Sequence, residues 1–319
     1  MKQLLIILVF VTVNSFSQDF IKVDLTVKKY PKISSAEELA TKINADFKTD
    51  IEKARAVFTW LAENIRYNLQ EYYNPQKRSY SFSYSTELEK QQKLQALKDK
   101  LVSDTFKNKT GVCEEYAQSY KKVCDLLNIE AEVIKGYVRN ITSEINKIPK
   151  ATNHAWNAVK INNKWLILDA TWAAGYKYNN MWLKDFNDYF FNMPPNKMFK
   201  THYPDDSIWV LRFGRMSIEE FFNQPIYGNY FLSLNAELVS SKSGVINVEK
   251  SKNIEIIFKN LDITSTIFYT FKGNRRGLKP KFISEKNNQK LIFINPGKDT
   301  ELVLFINRSD ALKFKVNVY

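Results

Sequence analysis

The sequence predicts an α+β protein in two parts, helices packed on an antiparallel sheet and then a small β-sandwich. Three observations carry this. Capped segments with apolar residues at helical period run from Ser35 to Leu127. Strand-like runs follow, the clearest of them joined by an Asn-Asn turn. Beyond Glu220 only short β-branched and aromatic runs remain, separated by turn residues. A length of 319 residues suits two ordinary domains, and we expect them at 18–219 and 220–319, after a leader at 1–17.

The leader comes first. Lys2 supplies a positive start, Leu4 to Val13 is an apolar run too short to span a bilayer, and Ser15 and Ser17 are small residues at the positions a signal peptidase reads. The expectation is a secreted or periplasmic protein without stable membrane insertion after signal removal. Ser35-Ala36-Glu37-Glu38 has capping-box spacing before Leu39, Ala40, Ile43 and Phe47. Asp50 reads as the cap of a second helix with Ala54, Val57, Phe58, Leu61 and Ile65 on its stripe, ending near Tyr67-Asn68. Gln70 to Ser85 is polar and Tyr/Ser-rich, a loop or irregular hairpin. Thr86 to Glu89 opens a further helix with Leu94, Leu97 and Leu101 on one face. After Gly111, the stripe of Tyr116, Ala117, Tyr120, Val123, Cys124 and Leu127 defines the next. Strands are expected at 131–139, 154–161 and 164–171, and in the second part at 245–258, 266–271, 281–284, 291–295, 300–307 and 312–319.

Composition narrows the classes. Apolar residues at 44% and charged residues at 25% exclude a disordered or polytopic chain, and nine glycines exclude collagen-like and elastic ones. Two cysteines are too few for a disulfide framework, and their spacing suits no zinc site. The net charge of +13 is spread along the chain among Glu and Asp. It reads as a solvated surface rather than a nucleic-acid interface, with an anionic wall polymer as a weaker alternative partner.

Cys113 begins a helix, where the positive end of the dipole favours thiolate, the nucleophilic form. Glu114 and Glu115 oppose this, so an imidazole partner has to help. A bridge to Cys124 is ruled out if the helix forms, because eleven residues of helix span about 16 Å. In the strand His154 to Ile161, the residues His154, Trp156 and Ala158 share a face. The turn Asn162-Asn163 pairs Ile161 with Lys164. Continued to Thr171, that register places Asp169 diagonal to His154, within reach of it. A carboxylate there holds the tautomer and stabilises the imidazolium.

The segments Gly111 to Ala117, Asn153 to Asn157 and Leu168 to Trp172 resemble the three core motifs of the transglutaminase-like superfamily. The stretches Lys53 to Asn68 and Thr201 to Trp209 are similar to its flanks, the latter in the kyphoscoliosis-peptidase-like branch. The resemblance covers roughly residues 30–215. It implies a papain/transglutaminase-like core with an Ig-like sandwich after it. It further implies Cys113 as nucleophile, His154 as base, Asp169 as orienting acid and His202 as a structural residue. The implied chemistry is acyl transfer on peptide or isopeptide amides of a protein or peptide substrate, with hydrolysis favoured over cross-linking. The Cys113 N–H is a natural oxyanion donor; Asn68, Tyr67 and Gln118 are all conceivable as the second. Trp156 and Trp172 flank the triad as candidate groove walls, with ordinary core packing an equal alternative for both. No cofactor and no metal is expected; cross-linking relatives often carry calcium sites, and no EF-hand-like loop is present, which favours hydrolysis. The other class of function is a non-catalytic scaffold with a degenerate core. The sequence leaves the oligomeric state open.

Overall fold

The computed structural model describes residues 20–74, 82–212 and 214–319. The leader expected at 1–17 lies outside the described residues. Three helices open the fold: α1 (Ile21–Val27), α2 (Ala36–Asp46) and α3 (Asp50–Asn64). Thr49, not Asp50, caps α3. Its hydroxyl accepts the Glu52 N–H while the Glu52 carboxylate accepts the Thr49 N–H, and Asp50 becomes the first helical residue, where negative charge suits the dipole. The helix buries Ala54 through Ala62 without a break, so even Arg55 and Thr59 are enclosed. Their partner is Asp24 of α1, a helix with no apolar period long enough to read from sequence. Arg55 Nε and Nη2 reach its two oxygens at 2.9 and 2.7 Å, and Thr59 Oγ1 lies 2.6 Å from Oδ1.

After α3 the chain forms β1 (Arg66–Tyr67), a short helix α4 (Leu69–Tyr73) and then the long α5 (Glu87–Asn108), capped by Thr86. The helix expected to reach Asn68 stops at Asn64, because Arg66 and Tyr67 pair in parallel with β2 (Thr110–Gly111). That pairing clamps the backbone just before α6 (Cys113–Leu126).

The sheet behind α6 has the order β5–β4–β3–β8, all neighbours antiparallel, built from β3 (Ala131–Val138), β4 (His154–Ile161), β5 (Lys164–Leu168) and, later in the chain, β8 (His202–Pro204). The β4–β5 hairpin turns on Asn162 and Asn163, both at positive φ, and keeps the expected register from Ile161–Lys164 to Asn157–Leu168. The strand expected to run to Thr171 ends at Leu168. Asp169 leaves the ladder because its carboxylate caps α7 (Ala170–Ala173), accepting the N–H groups of Thr171 and Trp172. A two-stranded hairpin, β6 (Gly175–Tyr178) with β7 (Met181–Lys184), and α8 (Pro195–Met198) lead to β8. Gly136 faces His154 on one side and Pro204 on the other, and a Cβ there would lie 2.2 Å from the Tyr203 carbonyl oxygen and 2.5 Å from the Trp156 ring. Only glycine lets β8 and Trp156 close on β3.

Beyond β8 the chain forms α9 (Ile218–Asn223), β9 (Ile226–Tyr227) and α10 (Asn229–Ser233). Eight strands follow: β10 (Glu237–Leu238), β11 (Val245–Val248), β12 (Ile254–Lys259), β13 (Ile267–Phe271), β14 (Lys281–Glu285), β15 (Asn288–Phe293), β16 (Thr300–Ile306) and β17 (Ser309–Val318). They form two sheets, β10–β12–β15–β14 and β11–β17–β16–β13, with β9 also on β17. The single strand expected at 245–258 is two strands, because the chain changes sheets between Val248 and Ile254. Inward residues of both sheets, among them Ile256, Phe258, Phe293, Leu304 and Phe314, make a separate apolar core, which is what a β-sandwich requires.

The two parts are bolted together beside β3. Buried Arg139 donates to the carbonyls of Gln224 at 2.6 Å and Pro225 at 3.2 Å, Thr142 donates to Glu301 at 2.6 Å, and Lys315 reaches the Ile145 carbonyl at 2.9 Å. Among the described residues no helix is long and apolar enough to cross a membrane.

Candidate active site

Cys113 stands at the first position of α6, half-buried, with β2 holding the preceding backbone. Val112, the N-cap residue, offers no side-chain acceptor, so no side chain covers the start of the helix, and the Cys113 N–H has no intrahelical partner by position. The acidic residues that follow are committed elsewhere. Glu114 accepts from Gln118 at 3.0 Å and pairs with Lys135 at 3.5 Å, while Glu115 accepts the Val112 N–H at 3.0 Å. Cys124 lies fully buried in the α6 stripe, where burial pushes its thiol well above the ordinary range; both cysteines are free.

β4 delivers His154 and the end of β5 delivers Asp169. His154 Nε2 lies 2.6 Å from Asp169 Oδ2, and both side chains are buried. Asp169 reaches the imidazole from the cap of α7 rather than from a strand position. Burial works against the imidazolium, but the Asp169 carboxylate and the Cys113 sulfur beside the ring outweigh it and push His154 up to about 10. Burial likewise opposes the Asp169 charge, yet the two histidines hold that carboxyl well below its usual range. With Nε2 given to the carboxylate, the other ring nitrogen is left to the sulfur. Sulfur, imidazole and carboxylate thus meet in one place.

The structure adds a fourth member that sequence reasoning left as a plain structural residue. His202 on β8 is 0% exposed, and its Nε2 lies 3.0 Å from the same Asp169 Oδ2. The signal was its rarity, because both histidines of the chain touch one oxygen. His154, Asp169 and His202 have the composition of a metal set, with ligand atoms within 4.8 Å of one another. The set does not fit an ion: both Nε2 atoms are spent in hydrogen bonds to the oxygen an ion would need.

Trp156 and Trp172 part company. Trp156 is 1% exposed, stacks on His154 with centroids 6.0 Å apart and meets Gly136, so it backs the imidazole and does not line a groove. Trp172 is half-buried, 4.8 Å from the His202 ring and 6.1 Å from that of His154. Of the three conceivable second oxyanion donors, Asn68 caps α4 and Gln118 is bound to Glu114. Tyr67 stacks on Trp182 at 5.1 Å and is close enough to feel the charge of Cys113.

Cys113, His154 and Asp169 form a triad-like arrangement on a helix start and a facing hairpin. Residues 37–170 match the family model described as the transglutaminase-like superfamily, so the chain carries a transglutaminase-like domain. It is 22% identical over 244 residues to human kyphoscoliosis peptidase, covering 75% of this chain and 34% of that protein. It is also 23% identical over 216 residues to cytokinesis protein 3 of Schizosaccharomyces pombe, covering 66% of this chain and 21% of that one. The chain thus spans about a third or less of the curated relatives it matches. Among solved structures, one from Cytophaga hutchinsonii described as a candidate cysteine protease is 20% identical, with a TM-score of 0.28 over 50% of this chain and 45% of the other.

Proposed function

We propose that this chain is an exported thiol-dependent enzyme acting on peptide or isopeptide amide bonds, with hydrolysis favoured over cross-linking. The observation that carries the reading is the buried 2.6 Å contact of His154 with Asp169, with Cys113 at a helix start on the other side of the imidazole. In the proposed reaction the Cys113 thiolate adds to the substrate carbonyl, and the Cys113 N–H receives the developing oxyanion. The C–N bond breaks as the His154 imidazolium gives its proton to the leaving amine, leaving a thioester. Water, deprotonated by the neutral imidazole, then releases the acid and restores the thiolate beside the imidazolium. Asp169 holds the imidazole and balances its charge throughout. Trp172, half-exposed beside the imidazole, is the proposed groove wall. The peptidase name of the mammalian relatives supports hydrolysis, and the pattern from Lys2 to Ser17 supports export.

Iodoacetamide near pH 6 tests the site. Cys113 is expected to alkylate about tenfold or more faster than buried Cys124, and Cys113→Ala to abolish the fast phase. Equal, slow labelling would favour the scaffold reading. Release of fragments from an unfolded protein substrate, set against incorporation of a fluorescent primary amine, separates hydrolysis from cross-linking.

A further inference from the structure

We infer that His202 is a positioning residue for this site: its Nε2–H takes a share of Asp169 Oδ2 and so sets how firmly the carboxylate holds His154. The catalytic consequence rests on the function proposed above; the effect on His154 does not. The geometry is complete on every side. Oδ1 of Asp169 is filled by the Thr171 and Trp172 N–H groups at 2.8 and 3.0 Å, so the two imidazoles must share Oδ2, at 2.6 Å for His154 and 3.0 Å for His202. Thr201 Oγ1 lies 2.8 Å from His202 Nδ1. Burial keeps His202 below the ordinary histidine range, which makes it the neutral member. The Thr201 hydroxyl then donates to Nδ1, and the one ring proton stays on Nε2, aimed at Asp169. Two imidazolium ions on one oxygen would repel each other, so the site holds one charged imidazole and one neutral donor.

A residue that only filled space would not have both nitrogens engaged. The ring is fixed between Trp156 at 5.0 Å and Trp172 at 4.8 Å, and β8 is held by the close approach at Gly136. The other titratable groups facing the pair are Cys113 and Tyr116 of α6 and Tyr67 of β1, and burial keeps both phenols protonated. None of them donates to Asp169 Oδ2. Removing the His202 donor concentrates the carboxylate on His154, which then holds its proton more firmly and gives it up less readily to a leaving amine.

The test compares His202→Phe, which keeps a ring without the donor, with His202→Gln, which can restore one. The readouts are the rate of Cys113 alkylation across pH and, in a Cys113→Ala background, the NMR titration of His154. His202→Phe is expected to move the upper limb and the His154 titration upward by about one pH unit, a tenfold change in proton affinity. His202→Gln is expected to return both towards the parent. Thr201→Val, which leaves the ring in place, should move them in the same direction by less, and it serves if His202→Phe does not fold. Identical titrations in all variants overturn the inference. If Cys113 alkylates no faster than Cys124, the proposed enzyme fails, yet the titration in the Cys113→Ala background still decides the role of His202.

Discussion

Replacing Asp24 by Ala strands the Arg55 guanidinium. Its side chain is 3% exposed and that of Asp24 16%, and the pair makes two contacts of 2.9 and 2.7 Å. Thr59 Oγ1, at 2.6 Å, loses its acceptor as well. Breaking a buried pair from one side costs about 3–5 kcal/mol. Two features lower the figure. Asp24 admits some water, and the rings of Phe20, Phe58, Phe186 and Phe191, at 5.1 to 5.4 Å, still attract the cation. A loss of about 3 kcal/mol is expected. With a urea slope of about 2 kcal/mol per molar, the midpoint falls by about 1.5 M. The assay is selective, because all six tryptophans precede Val210 and their fluorescence follows the first part of the chain while the sandwich stays silent. The double variant Asp24→Leu with Arg55→Met should recover most of the loss, since an apolar pair needs no counter-charge. A drop below about 0.5 M for Asp24→Ala alone would refute the argument that this ion pair fastens α1 to α3.

Gly136→Ala pushes a methyl into the Tyr203 carbonyl and the Trp156 ring, and should cost about 1–3 kcal/mol in the same assay. Thr49→Ala removes one half of the α3 capping box and should cost about 1 kcal/mol. The site pair also predicts a pH dependence. His154 is raised in the folded state, so its contribution is complete below its unfolded value of about 6.5 and is lost as pH climbs through about 10. Asp169 is lowered, so its contribution is present above the ordinary carboxylate range and is lost as pH falls below it. His202, lowered by burial, acts the other way and weakens the fold as pH drops below about 6.5. Urea midpoints from pH 7 to 10 should therefore fall in the parent and flatten in His154→Gln; parallel slopes would contradict the pairing.

Much of this was legible from sequence where the deciding bond is local. Thr86 caps its helix by a contact three residues on, and the Asn162-Asn163 turn fixes a hairpin register by itself. The departures arose where a side chain competes with regular structure or a partner lies far along the chain. Asp169 abandoned the predicted strand because its carboxylate takes two nearby N–H groups. Arg55 in a continuous buried run makes sense only with Asp24, 31 residues away, in a helix the sequence did not announce. Trp156 looked equally suited to a groove or a core, and the closeness of β8 decided for the core. His202 needed the β3–β8 register to bring it to Asp169.

The joint at Arg139 has a mechanical side. β3 runs from Gly136, opposite the imidazole strand, straight into the segment that Gln224, Pro225, Glu301 and Lys315 grip. Tension applied to the C-terminal strands is handed to that backbone within a few residues instead of being absorbed by a slack tether. The sandwich is thereby coupled, through a joint of side chains rather than a loose linker, to the strand that pairs with the one carrying His154.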